Sequence, residues 1–148
     1  MNDAHLHLVF NHFPIIGTIF GFGILIAGLV LKNNTVKNVS YCLFAVTALF
    51  AYASMSTGGG AAGMVKNMPS VGKQIIHKHE EIAEKFAVVL YVLALISIVG
   101  LYANLKNLRW SKWITLLALV ISSIAVYVSK DVGTSGGEVR HTEIRGKC

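Results

Sequence analysis

Residues 86–105 read FAVVLYVLALISIVGLYANL, without an Asp, Glu, Lys or Arg. About 20 apolar residues in a helix cross the hydrocarbon core of a bilayer, so this run alone reads as a membrane span. In lipid only a helix satisfies its backbone N–H and C=O groups within one segment. Working outward, three more uncharged runs appear: 13–31 (FPIIGTIFGFGILIAGLVL), 39–55 (VSYCLFAVTALFAYASM) and 113–128 (WITLLALVISSIAVYV). The runs 39–55 and 113–128 sit at or just under the spanning limit and are expected to borrow a turn from their flanks. None alternates polar and apolar residues as a barrel strand does. The expected fold is all-α: one integral membrane domain, a bundle of four antiparallel up-down helices.

Composition agrees. Of 148 residues, 54% are hydrophobic and 14% charged, against roughly 25% charged in a typical globular protein. Mean hydropathy is +0.61. So few charges cannot cover the surface of a soluble domain this small, which excludes a disordered chain, a secreted disulfide scaffold and an ordinary cytosolic enzyme. The first run is no cleavable signal, because Asp3 and three histidines precede it instead of a basic region and no small-residue cleavage site follows. Gly17 and Gly21, with Gly28 seven further on, predict close helix packing and no specific dimer.

The net charge of +6 invites a polyanion partner until the charges are placed. The short loops 32–38 and 106–112 hold Lys32, Lys37, Lys106, Arg109 and Lys112 and no acid. Lys and Arg in short loops mark the cytoplasmic side, and Tyr41, Trp110 and Trp113 fall at that boundary as an aromatic belt. The basic charge is therefore topological, and no nucleic-acid partner is expected. The expected location is a bacterial inner membrane, with both termini outside.

All six histidines, His5, His7, His12, His77, His79 and His141, then lie at the outer face. Ionisable groups at a membrane edge are functional candidates by default. The stretch 74–85 is amphipathic at helical period: Ile75, His79, Ile82 and Phe86 form one stripe, with His77, Glu80, Glu81, Glu84 and Lys85 on the other face. His79 is thus aimed at the bundle and His77 at solvent, with Ser70 a plausible N-cap. His5 and His12, seven apart, share a face if one helix carries both, and His7 then points elsewhere. Pro14 either kinks that helix or sits in the first turn of a helix capped by Asn11. His12 could equally be a hydrogen-bonded neutral histidine. In the tail, Gly136 and Gly137 allow a tight turn that would fold His141 over the bundle mouth. Glu138 and His141, three apart, match only one copy of a di-iron motif that needs two.

Histidines on facing helices of a bundle suit a haem, two imidazoles binding its iron axially. The pairs expected are His12 with His79, and His7 or His5 with His141, walled by Phe10, Phe13, Phe86 and Tyr52 or Tyr91. Without a CxxCH motif the haem would be b-type. Cys42 and Cys148 fall at opposite ends and cannot pair. With no ligand at the basic end, electron transfer would be one-sided, to a quinone or a respiratory partner subunit.

Three segments carry a family resemblance: LHLVFNHFPIIG at 6–17, HEEIAE at 79–84 and GGEVRHTEI at 136–144. They resemble signatures of a group of small bacterial four-helix membrane proteins, similar in architecture to b561-type haem cytochromes. Position by position the resemblance implies His7, His12, His79 and His141 as cofactor- or metal-binding residues and haem b as the cofactor. One departure is Thr57-Gly58-Gly59, where related chains often read TGE; a carboxylate is missing here, and any role shared through it is in doubt.

Two other classes compete. Copper, zinc or iron could bind the same histidines, and Met64 and Met68 favour copper, although both also suit loop packing. Alternatively the chain is a non-catalytic accessory subunit of a larger membrane complex, or a homo-oligomer. No Ser/His/Asp set, phosphate loop or nucleophilic cysteine points to an enzyme acting alone.

Overall fold

The computed structural model describes residues 2–66 and 72–141. Five helices occupy them: α1 (Asp3–Phe10), α2 (His12–Val30), α3 (Asn34–Val65), α4 (Lys73–Leu105) and α5 (Ser111–Arg140). Together α1 and α2 form one broken span, and with α3, α4 and α5 they make four segments long and apolar enough to cross a membrane. The chain is a multi-pass membrane protein. Among the described residues there is no strand.

The break at Asn11 has a local cause. Pro14 has no N–H for the Phe10 carbonyl, and its ring crowds that carbonyl, so the helix cannot run through. Asn11 stands at the start of α2 without a side-chain cap bond, while Asn2 caps α1 by accepting from the His5 N–H at 3.0 Å. Thr18 Oγ1 donates to the Pro14 carbonyl at 2.6 Å.

At the basic end, two turns share one design. Lys32 and Asn107 adopt left-handed backbone (φ 50° and 52°). The Asn33 N–H reaches the Gly28 carbonyl and the Leu108 N–H reaches the Ala103 carbonyl, both at 2.9 Å. These are Schellman turns, which end a helix by satisfying its last carbonyls.

The helices close into a ring: α2 lies beside α3, α3 beside α4, α4 beside α5, and α5 beside α2. Bulk comes from Leu25, Tyr41, Phe44, Phe86, Leu90 and Leu93, all buried. On α5 the inward positions are Thr115, Ala118, Ser122, Ala125, Ser129, Val132 and Ser135, nearly all small. Small residues let helices approach where lipid supplies no hydrophobic drive for them to associate. Gly21 lies under the Phe44 ring and Gly100 under the Tyr41 ring, where an added Cβ would come within 2.5 and 2.7 Å of ring carbons. Large apolar side chains such as Phe20, Leu49 and Leu95 face outward, as a lipid-facing surface requires.

Several expectations need correcting. Tyr41 is no belt residue: it is 1% exposed, and its hydroxyl donates to Thr115 Oγ1 at 2.8 Å. The expected ends of the second and fourth spans, at 55 and 128, are too early. At 1.5 Å per residue, helices of 32, 33 and 30 residues run about 45–50 Å, well beyond a hydrocarbon core of about 30 Å. They continue on the histidine side. Residues 74–85 form no separate amphipathic helix but the first turns of α4. The tail makes no turn at Gly136–Gly137; α5 continues through both, and His141 caps it in extended conformation. Gly72 precedes α4, and the proposed cap Ser70 lies outside the described residues, as do Met68 and Cys148.

Candidate functional site

Of the glycines in the helix extensions, Gly60 and Gly136 are close contact surfaces, whereas Gly59 and Gly63 face open space. A glycine in a helix interior costs about 1 kcal/mol relative to alanine, and at Gly60 and Gly136 tertiary packing offsets it. α1 folds against the last turns of α3, with the Asp3 carboxylate against Gly60 and the His7 ring against Gly58. A Cβ on Gly58 would stand 3.6 Å from His7 Cε1, and one on Gly136 would stand 3.2 Å from His79 Cε1. Each imidazole therefore rests on the bare backbone of a neighbouring helix.

His79 is half-buried on the amphipathic turns ahead of the uncharged 86–105 span, and burial along that stripe deepens to Phe86. Its Nδ1 lies 2.9 Å from Ser135 Oγ on α5. Ser135 donates its one hydroxyl hydrogen to the Val132 carbonyl at 3.1 Å. The hydroxyl is left to accept, so His79 Nδ1 carries the ring proton.

His7, half-buried on α1, makes the matching arrangement. Its Nδ1 lies 3.0 Å from the Ser54 carbonyl, which can only accept, so Nδ1–H is again the donor. Thr57 Oγ1, which donates to the carbonyls of Ala53 and Ser54, stands 3.4 Å from the same nitrogen. No described residue takes up Nε2 of either ring, so each presents a lone pair. A tautomer held by a carbonyl or hydroxyl on one ring nitrogen is how proteins orient histidine ligands.

The other expected residues lie apart. His12 is exposed, with Nδ1 3.3 Å from the Leu8 carbonyl, and it does not face His79. Asn11 keeps right-handed helical backbone (φ −66°, ψ −23°), so His5 and His12 share an exposed face as expected, and His7, on the other face, is the one that turns inward. His141 is exposed at the end of α5. His77 is exposed, 3.5 Å from Glu81. Glu138 meets Lys78 at 3.4 Å, joining α4 to α5. Of the expected aromatic walls Phe86 is buried, whereas Phe10 and Phe13 gather on Phe50, and Tyr52 is exposed. Met64 is exposed. Among the described residues, no three His, Cys, Asp or Glu side chains gather closely enough to hold a metal ion.

Three contributors were not anticipated: Ser54, Thr57 and Ser135. Ser54 continues the inward series Ser40, Thr47 at steps of seven, and Ser135 ends the small-residue stripe of α5. That seam was legible in the spacing. One turn beyond His7, the buried Asn11 Oδ1 has no hydrogen-bond partner. Between this end and the basic end the core mixes Leu25, Phe44, Leu90 and Leu93 with the buried Thr47, Ser97 and Ser122.

Compared with protein-family models, curated proteins and solved structures, the chain matches none.

Proposed function

We propose that this chain is a membrane-bound b-type haem protein that transfers electrons at one face of the membrane, with His7 and His79 as the axial pair. The observation that carries the reading is the pair of imidazoles on α1 and α4, each with Nδ1–H engaged and Nε2 bare. The donor set fits the group: a porphyrin brings four nitrogens and asks the protein for two more, whereas a bare copper or zinc ion asks for three or four. The absence of a side chain at Gly136 lets the His79 ring pack close to α5, where a Cβ would stand 3.2 Å from its Cε1. When bound, the haem would supply a one-electron couple. Ser54 and Ser135 would fix the orientation of the two rings, and the small residues around them would admit a flat macrocycle.

With every histidine away from the basic loops, transfer would be confined to the histidine end, toward a quinone or a respiratory partner. The basic short loops support an orientation with that end outside, in a bacterial inner membrane. The test is the absorbance of the detergent-purified protein from haem-replete cells, oxidised and dithionite-reduced. Reduced bands of a bis-histidine b haem, lost in His7→Ala and in His79→Ala but kept in His12→Ala, are the expected result. A colourless protein, or a haem that needs His12 and not His7, would overturn the assignment.

A further inference from the structure

We infer that the groove between α2 and α3 binds an isoprenoid quinol, whose hydroxyl donates to His12 Nε2. The groove has a volume of about 340 Å³ and is walled by Phe13, Ile16 and Phe20 of α2 and by Val46 and Phe50 of α3. That is the lower end of the range for small-molecule sites, enough for a substituted ring and the start of its tail. Ile16, Phe20 and Val46 are exposed on the lipid-facing surface, so a membrane-dissolved molecule enters without crossing water.

Its outer end differs from an ordinary gap between helices. Phe13 and Phe50 are stacked there with centroids 4.5 Å apart and an interplanar angle of 16°, and Phe10 lies 6.1 Å from Phe50. Such a cluster offers faces and edges to another flat ring. His12 lies one turn before Ile16 on the same side of α2. Its Nδ1 donates to the Leu8 carbonyl, which leaves Nε2 a bare acceptor at an exposed position. An acyl chain fills an apolar groove but brings no donor to that nitrogen. A quinol brings a ring, an apolar tail and an O–H, and its oxidised quinone lacks the O–H. Use of the groove to deliver electrons rests on the haem reading; occupancy by a quinol does not.

The experiment uses the full chain in phosphatidylcholine nanodiscs free of quinones, with a decyl-tailed azido-benzoquinol as photolabel and mass spectrometry to locate it. Saturable labelling confined to peptides covering residues 10–20 and 43–50 is expected. His12→Ala should weaken it about tenfold, the loss of one hydrogen bond in an apolar setting. Val46→Trp, which fills the groove from a lipid-facing position, should abolish it. Unlabelled quinol should compete roughly tenfold better than the quinone in the native chain and no better in His12→Ala. Labelling spread evenly over lipid-facing helices, insensitivity to both substitutions, or equal competition by phosphatidylethanolamine would overturn the site. A haem-containing protein without labelling removes this site alone, and a colourless protein labelled as expected removes the haem reading alone.

Discussion

The two ends of the bundle both join polar side chains across helices, but they leave different things undone. At the basic end most groups close on one another: the Tyr41 hydroxyl donates to Thr115, Thr115 to the Ser111 carbonyl, and Asn104 Nδ2 to Asn38 Oδ1 at 3.0 Å, with Asn104 Oδ1 left buried and unbonded. The chain there turns tightly, in two Schellman turns. At the histidine end the helices run beyond the length of a hydrocarbon core, Gly58 and Gly60 admit α1, and two imidazoles are each held by Nδ1. Hydrogen bonds between helices hold them in register, whereas a held ring with a bare nitrogen is free to take a ligand. The basic end is therefore read as structural and the histidine end as the candidate site.

That division can be broken by substitutions that move stability and cofactor retention together. Gly100→Val drives a side chain into the Tyr41 ring, and overpacking of this kind costs about 1–3 kcal/mol. Its thermal midpoint in detergent should fall the most, with the spectrum of the remaining folded protein unchanged; an altered spectrum would join the two ends.

Ser135→Ala removes the acceptor for His79 Nδ1–H. On the haem reading, losing the group that orients a liganding imidazole costs about 10–100-fold in affinity, so haem retention should drop at least about tenfold while the melting midpoint moves little. Unchanged retention would mean that Ser135 does not orient the ring.

Tyr41→Phe deletes one buried hydroxyl and should cost about 1 kcal/mol in denaturant or thermal unfolding, with no spectral effect. Lys32→Gly relieves a left-handed backbone position and should stabilise by up to about 1 kcal/mol. His77→Ala, on the exposed face of α4, should change stability by less than about 0.5 kcal/mol and leave the spectrum intact.

Much of this was legible one residue at a time. Helical period alone put Ile75, His79, Ile82 and Phe86 on the inward face and His77 outward, and burial in the folded chain follows that stripe. Across α1 and α2, phase does not say which face looks inward, however. His5 and His12 share a face as their spacing of seven requires, but that face is exposed, and His7 on the other face is the residue that turns in. Tyr41 was misplaced because a tyrosine near a loop looks the same in sequence whether it sits at the interface or under Gly100.

The amino-acid sequence by itself determined the class and the plan: four apolar runs long enough for lipid, two basic loops between them, and every histidine at the opposite end. Those follow from length, charge and helical period, which are local properties of the chain. Only the tertiary structure decided where the helices stop and which histidines meet. Read by propensity, Gly58, Gly59 and Gly60 and the pair Gly136–Gly137 end helices, because glycine gives up more backbone freedom than any other residue on folding. Laid against α1 and against His79, glycines of both sets become the surfaces on which the two imidazoles rest, and that contact energy exists only between segments distant in the chain.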